Sequence, residues 1–157
     1  MKKLLSDPSV EIRAGGFFTE EFREKGKREG FLITSLPSGK TALFASKRLP
    51  SMYRVGSYGI NLEEIENIGC RAIQAAIDSH KIIIIDEIGK MELFSKEFKR
   101  LVIEALDSPL KVLATIMERS NEFADHIKKR RDIRFLRLTR ENFDCVFSEV
   151  LQWMTCL

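Results

Sequence analysis

Apolar and polar positions along the chain follow two periods, one typical of strands and one typical of helices. Short apolar runs predict strands at 16–19, 31–36, 41–45, 81–86, 110–116 and 133–138. Apolar residues three and four positions apart predict helices that begin at Asn61, near Ser95, at Asn121 and at Thr139. Strands that alternate with helices indicate an α/β fold with a mainly parallel sheet. With no repeat or linker, we expect a single domain over 1–157.

Two strands are predicted to form an antiparallel hairpin, 31–36 with 41–45, and a charged loop is predicted at 20–27. The hairpin turn contains Gly39-Lys40-Thr41, which matches the last three positions of the phosphate-binding-loop pattern. Such a loop has the pattern G-x-x-x-x-G-K-[ST], but Thr34 stands where the first glycine belongs. The loop also needs a helix after it, whereas a strand is predicted there. We therefore interpret Pro37-Ser38-Gly39-Lys40 as a turn.

The clearest chemistry follows the apolar run at 82–85, which ends in Asp86 and Glu87. Four consecutive isoleucines indicate a strand covered on both faces, as in the centre of a parallel sheet. Ligands of open α/β sheets bind beyond the carboxyl ends of such strands. Asp86 can hold Mg²⁺ through water, and Glu87 can polarise a water for in-line attack on a γ-phosphate. The alternative is that both acids only end the strand and cap the turn.

Several segments resemble the thermophilic and cancer-related nucleoside triphosphatases, a branch of the P-loop proteins. The longest, Ile-Asp-Glu-Ile-Gly-Lys-Met-Glu-Leu-Phe-Ser at 85–95, resembles the family's Walker B segment. Shorter similar blocks lie at 16–21, 54–59, 114–116 and 139–142, in the family order. The resemblance implies a RecA-like P-loop fold, a three-layer sandwich, that hydrolyses nucleoside triphosphates with Mg²⁺.

The same resemblance assigns roles by position. Asp86 matches the metal-linked acid, and Glu87 matches the water-activating acid. Tyr58, in the block Arg-Val-Gly-Ser-Tyr-Gly at 54–59, and Lys90 are candidates for contacts with the nucleotide. Arg23, Lys25, Lys27 and Arg28 are candidates for an arginine finger or form a charged solvent loop.

Family members begin with a strand, a GxxGxGKT-type loop and a helix, and only the tail of that helix is expected here, at 1–5. The fold is therefore expected without its first strand and P-loop, which would leave neighbouring strands unpaired. We expect weak binding of triphosphate, because two acids cannot replace the loop's N–H groups and lysine. Either the chain is shortened and a longer parent is the enzyme, or it is a degenerate scaffold that binds protein or nucleic acid. A partner chain or self-association would then complete the sheet.

Composition narrows the other classes. The 157 residues are 44% apolar and 31% charged, with a net charge of +3, which is ordinary for a globular domain and low for a dedicated nucleic-acid binder. The basic stretch 128–140 is interpreted as a solvated helix face. Three cysteines without a CxxC pair favour a reducing, cytoplasmic setting over a disulfide framework. No apolar run reaches the roughly 20 residues of a membrane span.

Overall fold

A seven-stranded sheet in the order β4-β5-β3-β2-β1-β6-β7 forms the centre of the computed structural model, which describes residues 1–156. The strands are β1 (Ala14–Glu24), β2 (Lys27–Leu36), β3 (Thr41–Ser46), β4 (Arg54–Val55), β5 (Tyr58–Ile60), β6 (Ile82–Ile88) and β7 (Val112–Ile116). β6 is parallel to its neighbours β1 and β7, and the other pairs are antiparallel. The α/β class is as predicted, but the sheet is mixed, and its parallel part is limited to β1, β6 and β7.

Helices cover both faces of this sheet. They are α1 (Lys2–Leu5), α2 (Pro8–Glu11), α3 (Leu62–Glu64), α4 (Arg71–Asp78), α5 (Lys96–Asp107), α6 (Glu122–Lys128) and α7 (Phe143–Thr155). A π-helical segment, Ile65–Cys70, joins α3 to α4, and a 3₁₀ turn, Glu92–Phe94, follows β6.

Three of the predicted helix starts, at Asn61, Ser95 and Asn121, are confirmed by capping bonds. The side chains of Asn61, Ser95 and Asn121 accept backbone N–H groups in the first turns of α3, α5 and α6. Thr139 and Asn142 exchange reciprocal bonds, since each backbone N–H is donated to the other's side-chain oxygen. This pair has the geometry of a capping box. The predicted start at Thr139 is nevertheless wrong, because the N-cap of α7 is Asn142 and its first helical residue is Phe143.

The core lies on both faces of β6, as the four isoleucines predicted. Ile83 and Ile85 pack in a cluster with residues of α4 and α5, whereas Ile82 and Ile84 pack with residues of α1, α2 and α7. All four are buried. A side chain of this size contributes roughly 1.5–3 kcal/mol when fully buried, so β6 is strongly held from both sides.

The predicted charged loop at 20–27 is wrong, because β1 and β2 continue as a long hairpin whose turn is Lys25-Gly26. Both turn residues have positive φ, 48° and 78°, which suits a two-residue hairpin turn. The hairpin's charged side chains pair across the strands, as Arg28 does with Glu21 at 2.8 Å. The charged residues of 20–27 led to the loop prediction because this part of the hairpin lies in solvent, where strands also carry charged side chains.

The predicted strand at 133–138 is also wrong, since these residues form no regular secondary structure. A strand needs a neighbour with free backbone groups, and this segment pairs with none of the described strands. Phe135 and Leu138 are instead about half exposed, at 48% and 59%. The apolar pattern was present, but the ladder partner was not.

β7 is an edge strand of the sheet. In its parallel ladder with β6, the backbone groups of Leu113 face β6, so those of Val112, Ala114 and Ile116 face outward. These outward N–H and C=O groups have no backbone partner among residues 1–156. Within the described residues 1–156, no helix is long and apolar enough to span a bilayer.

Candidate active site

Asp86 lies where β6 reaches the carboxyl edge of the sheet. Its side chain is half-buried and accepts a hydrogen bond of 2.5 Å from the hydroxyl group of Thr115. The two residues meet because β7 runs parallel to β6 with Ile85 opposite Ala114. Asp86 thus lies at the sheet edge rather than in the packed interior, and the bond from Thr115 fixes the orientation of its carboxylate.

Glu87 follows directly, and its side chain reaches solvent. Its carboxyl group folds back over Gly89, so closely that a Cβ atom at Gly89 would collide with Glu87 Oε1. Burial raises the pKa of Glu87 above its ordinary value, and the charge of Asp86 adds to this effect. A carboxylate with a raised pKa is a stronger base near neutral pH, as activation of a water requires.

Glu92 is the third acid of this site, and it is buried, with 3% of its surface exposed. It begins the 3₁₀ turn after β6. Burial raises its pKa to about 8, and the charges of Glu87 and Asp86 act in the same direction. No definite role was predicted for Glu92; the available signal was a lone acid among the apolar residues of 91–94.

Thr115 was missed as a site residue by the sequence reasoning, which noted 114–116 only as a block of resemblance. A usable signal was present, since the carboxyl ends of neighbouring parallel strands meet at one edge of a sheet. A polar residue near the end of β7 was therefore expected to face Asp86, once β6 and β7 were known to be neighbours.

The two candidates for nucleotide contacts lie in different places. Lys90 is exposed in the turn after β6, close in sequence to the acids. Tyr58 lies on β5, which β3, β2 and β1 separate from β6, a distance of roughly 19 Å at about 4.8 Å per strand. The Tyr58 hydroxyl accepts a hydrogen bond of 3.0 Å from Arg28 Nε, and its ring meets Phe31 edge-on. Tyr58 is thus not brought to the acids, and its role stays a prediction.

The basic candidates on the β1–β2 hairpin project beyond the site. β1 pairs with β6 as far as Phe17, which lies opposite Ile85, and continues for seven more residues to Glu24. The guanidinium groups of Arg23 and Arg28 are both bound to Glu21. Lys25 and Lys27 are exposed at the tip. An arginine finger from this hairpin stays a prediction, and Arg23 and Arg28 would have to leave Glu21 to act as one.

Four of the seven basic side chains in the stretch 128–140 form ion pairs. Arg130 binds Asp107 and Asp132, and other ion pairs join Arg134 to Glu149 and Arg137 to Glu118. The interpretation of this stretch as a solvated helix face is wrong, because only Lys128 of it lies in a helix.

The donors around Asp86 suit a hard cation. The carboxylate and the neighbouring hydroxyl group offer oxygen ligands, which Mg²⁺ prefers. No group of three or more His, Cys, Asp or Glu side chains among the described residues forms a complete protein cage. Mg²⁺ does not need one, because it keeps several waters and is usually held by one or two carboxylates together with substrate phosphates.

Comparisons with known proteins agree with this geometry. A family model described as NTPase matches residues 2–151. The chain is 46% identical over 138 residues to nucleoside-triphosphatase THEP1 of Thermotoga sp. strain RQ2. The aligned region covers 88% of this chain and 79% of that relative. The chain is 35% identical over 148 residues to the mouse cancer-related nucleoside-triphosphatase homolog, covering 87% of this chain and 78% of the relative.

Two solved structures are similar to the whole chain. The crystal structure of THEP1 from Aquifex aeolicus matches with a TM-score of 0.88 at 37% identity, covering 99% of this chain and 90% of that one. The solution structure of a human cancer-related nucleoside triphosphatase matches with a TM-score of 0.79 at 28% identity, covering 97% and 87%. These matches confirm the predicted α/β P-loop NTPase fold class.

Proposed function

Because this chain belongs to the nucleoside-triphosphatase family, we propose that Asp86 and Glu87 form the acidic side of a site for Mg²⁺-dependent hydrolysis of nucleoside triphosphate to diphosphate and phosphate. The observation that supports this most directly is the arrangement at the carboxyl end of β6. Thr115 orients Asp86, and the neighbouring Glu87 carboxyl group lies at the same edge with a raised pKa.

In this proposal each side chain has one task. Asp86, fixed by the Thr115 hydroxyl group, would hold a Mg²⁺ ion through water. That ion would neutralise charge on the phosphate oxygens. Glu87 accepts a hydrogen bond from the attacking water and aligns it with the γ-phosphate. Phosphoryl transfer depends mostly on such positioning and charge neutralisation.

We further propose that the 157-residue chain binds triphosphate weakly by itself. No G-x-x-x-x-G-K-[ST] pattern occurs in its sequence, and Gly39-Lys40-Thr41 belongs to a hairpin turn between β2 and β3. Asp86, Glu87 and Glu92 carry negative charge or none, so they offer no substitute for the cations and N–H groups that hold a polyphosphate.

Calorimetric titration with Mg-ATP and Mg-GTP tests the weak binding. We expect dissociation constants of about 1 mM or weaker, and micromolar binding would contradict the proposal. Any hydrolysis above background should fall at least about 100-fold in Glu87→Gln, because a positioned base contributes roughly that much. The matched control is Glu63→Gln, an exposed glutamate on α3. Equal turnover in Glu87→Gln and the control would remove Glu87 from the mechanism.

A second candidate function, a scaffold completed by another strand, is favoured by one observation, the open edge of β7. Its outward backbone groups are unpaired, and the exposed apolar residues Phe135 and Leu138 lie in the segment that failed to form a strand. Such an edge is a template for strand addition. We propose that a second copy of this chain fills it.

Sedimentation at about 100 μM, well above typical weak self-association constants, tests this second candidate. We expect an associated species in the wild-type chain and a monomer in Ala114→Pro. Proline removes an outward N–H group of β7 without touching the ladder with β6, and it is tolerated on edge strands. A monomeric wild-type chain would exclude the second copy, and unchanged association in Ala114→Pro would exclude this edge.

A further inference from the structure

Two arginines lie directly opposite each other on the β1–β2 hairpin, Arg23 on β1 and Arg28 on β2. A bulge in β2 produces this pairing, because it shifts the register by one residue. Without the shift, Arg23 would lie opposite Glu29. Arg28 would likewise lie opposite Glu24, so that both pairs would join opposite charges. Since like charges opposite each other destabilise a ladder, and bulges re-aim side chains next to functional sites, hairpin stability alone does not account for this arrangement.

The two guanidinium groups share one carboxylate, that of Glu21. Arg23 donates from Nε and Nη2 to Glu21 Oε2 at 2.8 and 2.6 Å, and Arg28 donates from Nη1 to Glu21 Oε1 at 2.8 Å. Three N–H groups thus converge on one anionic group, and two cations against one anion leave a positive charge in excess. The side chains of Arg23 and Arg28 are 56% and 47% exposed, so an anion in solution can reach them.

Partners other than Glu21 also hold both guanidinium groups in place. Arg23 Nη1 donates to the backbone oxygen of Gly26 at 3.0 Å. Arg28 Nε donates to the Tyr58 hydroxyl group at 3.0 Å, and its guanidinium group lies over the Tyr58 ring, 5.9 Å from the centre. These partners are neutral, so they orient the two arginines without cancelling their charge. Donors that are oriented in advance lose less freedom when an anion binds.

We propose that Arg23 and Arg28 form a binding site for a phosphate group, and that the Glu21 carboxylate occupies this site in the structure. The planar forks of arginine match the oxygens of a phosphate group as they match those of a carboxylate. Glu21 is therefore an internal competitor that keeps the affinity for phosphate low.

This site is separate from the acids at the end of β6 and does not depend on the proposed hydrolysis. Glu21 lies four residues beyond Phe17, where the pairing of β1 with β6 ends. At about 3.3 Å per residue, this is roughly 13 Å farther along β1. Neither Asp86 nor Glu87 contributes a donor to it.

The competing interpretation is that these ion pairs only stabilise the hairpin, and the two interpretations predict opposite effects of Glu21→Gln. If the pairs only stabilise the hairpin, the variant keeps two repelling arginines and binds no phosphate. If Glu21 occupies a phosphate site, the variant opens that site and gains affinity. The matched control is Glu24→Gln, which removes an equal charge from the same hairpin, where Glu24 pairs with Arg48.

The test is a titration of the ¹⁵N-labelled full chain with pyrophosphate, and separately with ADP, at constant ionic strength. The NMR signals of the arginine Nε–H groups report binding, and Arg23→Lys and Arg28→Lys assign them. In the wild type we expect dissociation constants of about 1 mM or weaker at both arginines. In Glu21→Gln they should fall at least about tenfold, because the charged competitor is gone. In Glu24→Gln they should stay within about twofold of the wild type.

Arg28→Lys, added to Glu21→Gln, should abolish the gain, because lysine lacks the planar fork. The ligand that binds more tightly identifies the source of the phosphate group, inorganic pyrophosphate or a nucleotide, and equal constants assign the diphosphate group alone. Backbone amide signals of β1 and β2 report whether the hairpin stays folded.

Three results would overturn the proposal. One is equal affinity in Glu21→Gln and Glu24→Gln, which would show an effect of net charge only. Another is a set of Arg23 and Arg28 signals in Glu21→Gln that do not shift up to about 20 mM of either ligand. The third is a hairpin that unfolds in Glu21→Gln. None of these readouts involves hydrolysis, so they are distinct from a failure of the proposed activity.

Discussion

Replacing Glu92 by glutamine is expected to stabilise the folded protein, and the gain should grow as the pH rises. The substitution keeps the size and the hydrogen-bonding ability of the side chain and removes its ionisation. The folded-state pKa of Glu92 is about 8, against 4.5 as its ordinary value. Between these two values the folded state holds a proton that the unfolded state has released. Stability is therefore lost as the pH rises through this window, and the loss is complete above about pH 8.

The magnitude follows from the same shift. At about 1.4 kcal/mol for each pH unit, the full shift corresponds to roughly 4–5 kcal/mol, which is a large part of the stability of a domain of this size. We expect Glu92→Gln and the wild type to be similar near pH 4.5. At pH 8.5 the variant should melt on the order of 10 °C higher, since about 1 kcal/mol shifts the midpoint by 2–4 °C at this length.

Thermal unfolding by calorimetry at five pH values between 4.5 and 8.5 measures this difference, with Glu63→Gln as the exposed control. The control should follow the wild type at every pH. A constant difference between Glu92→Gln and the wild type across the range would refute the reasoning, because it would show that Glu92 does not change its protonation on unfolding in this window.

Two further predictions concern the elements that position the acids. Gly16→Ala should destabilise the protein by about 3 kcal/mol or more, because Gly16 has a φ of +104° and an added Cβ would collide with the backbone oxygen of Ile84. Chemical denaturation measures this loss. Gly26→Ala, in open space at the hairpin tip, is the control for the effect of a positive φ alone. Ser95→Ala should cost about 1 kcal/mol, because the Ser95 hydroxyl group accepts the N–H of Phe98 at 3.1 Å and caps α5; a loss below a few tenths of a kcal/mol in the same assay would contradict the capping role.

The elements that the sequence predicted well are those whose signal is local. The helix starts at Asn61, near Ser95 and at Asn121 were predicted from patterns that extend over a few positions, and the structure shows capping bonds at all three. The strand at 81–86 was predicted from four consecutive isoleucines because such a run suits a position covered on both faces, and all four are buried. The position of Asp86 was predicted from the same run, since the first polar residue after a buried strand lies at the edge of the sheet.

The features that the sequence did not predict depend on distant parts of the chain. The segment 133–138 has the apolar content of a strand, but a strand also requires a partner, and no local pattern reports whether one is present. The hairpin segment 20–27 is rich in charged residues, which are equally typical of a loop. Thr115 bonds Asp86 only because β6 and β7 are neighbours in the sheet, and the carboxyl groups of Glu87 and Glu92 both lie near Gly89 only because of the fold of that turn.

Glu92 also bears on the choice between the two proposed functions. A buried carboxyl group next to two other acids lowers stability, and a neutral side chain of similar size would remove that loss. A scaffold whose only task is to present the open edge of β7 gains nothing from this arrangement, because the edge is formed by backbone groups of Val112, Ala114 and Ile116. Departures from the most stable side chain are expected where a site needs a shifted pKa. The acids around Gly89 therefore favour the proposed hydrolysis over a scaffold whose only task is strand addition. Strand addition at β7 could accompany the hydrolysis but would not replace it.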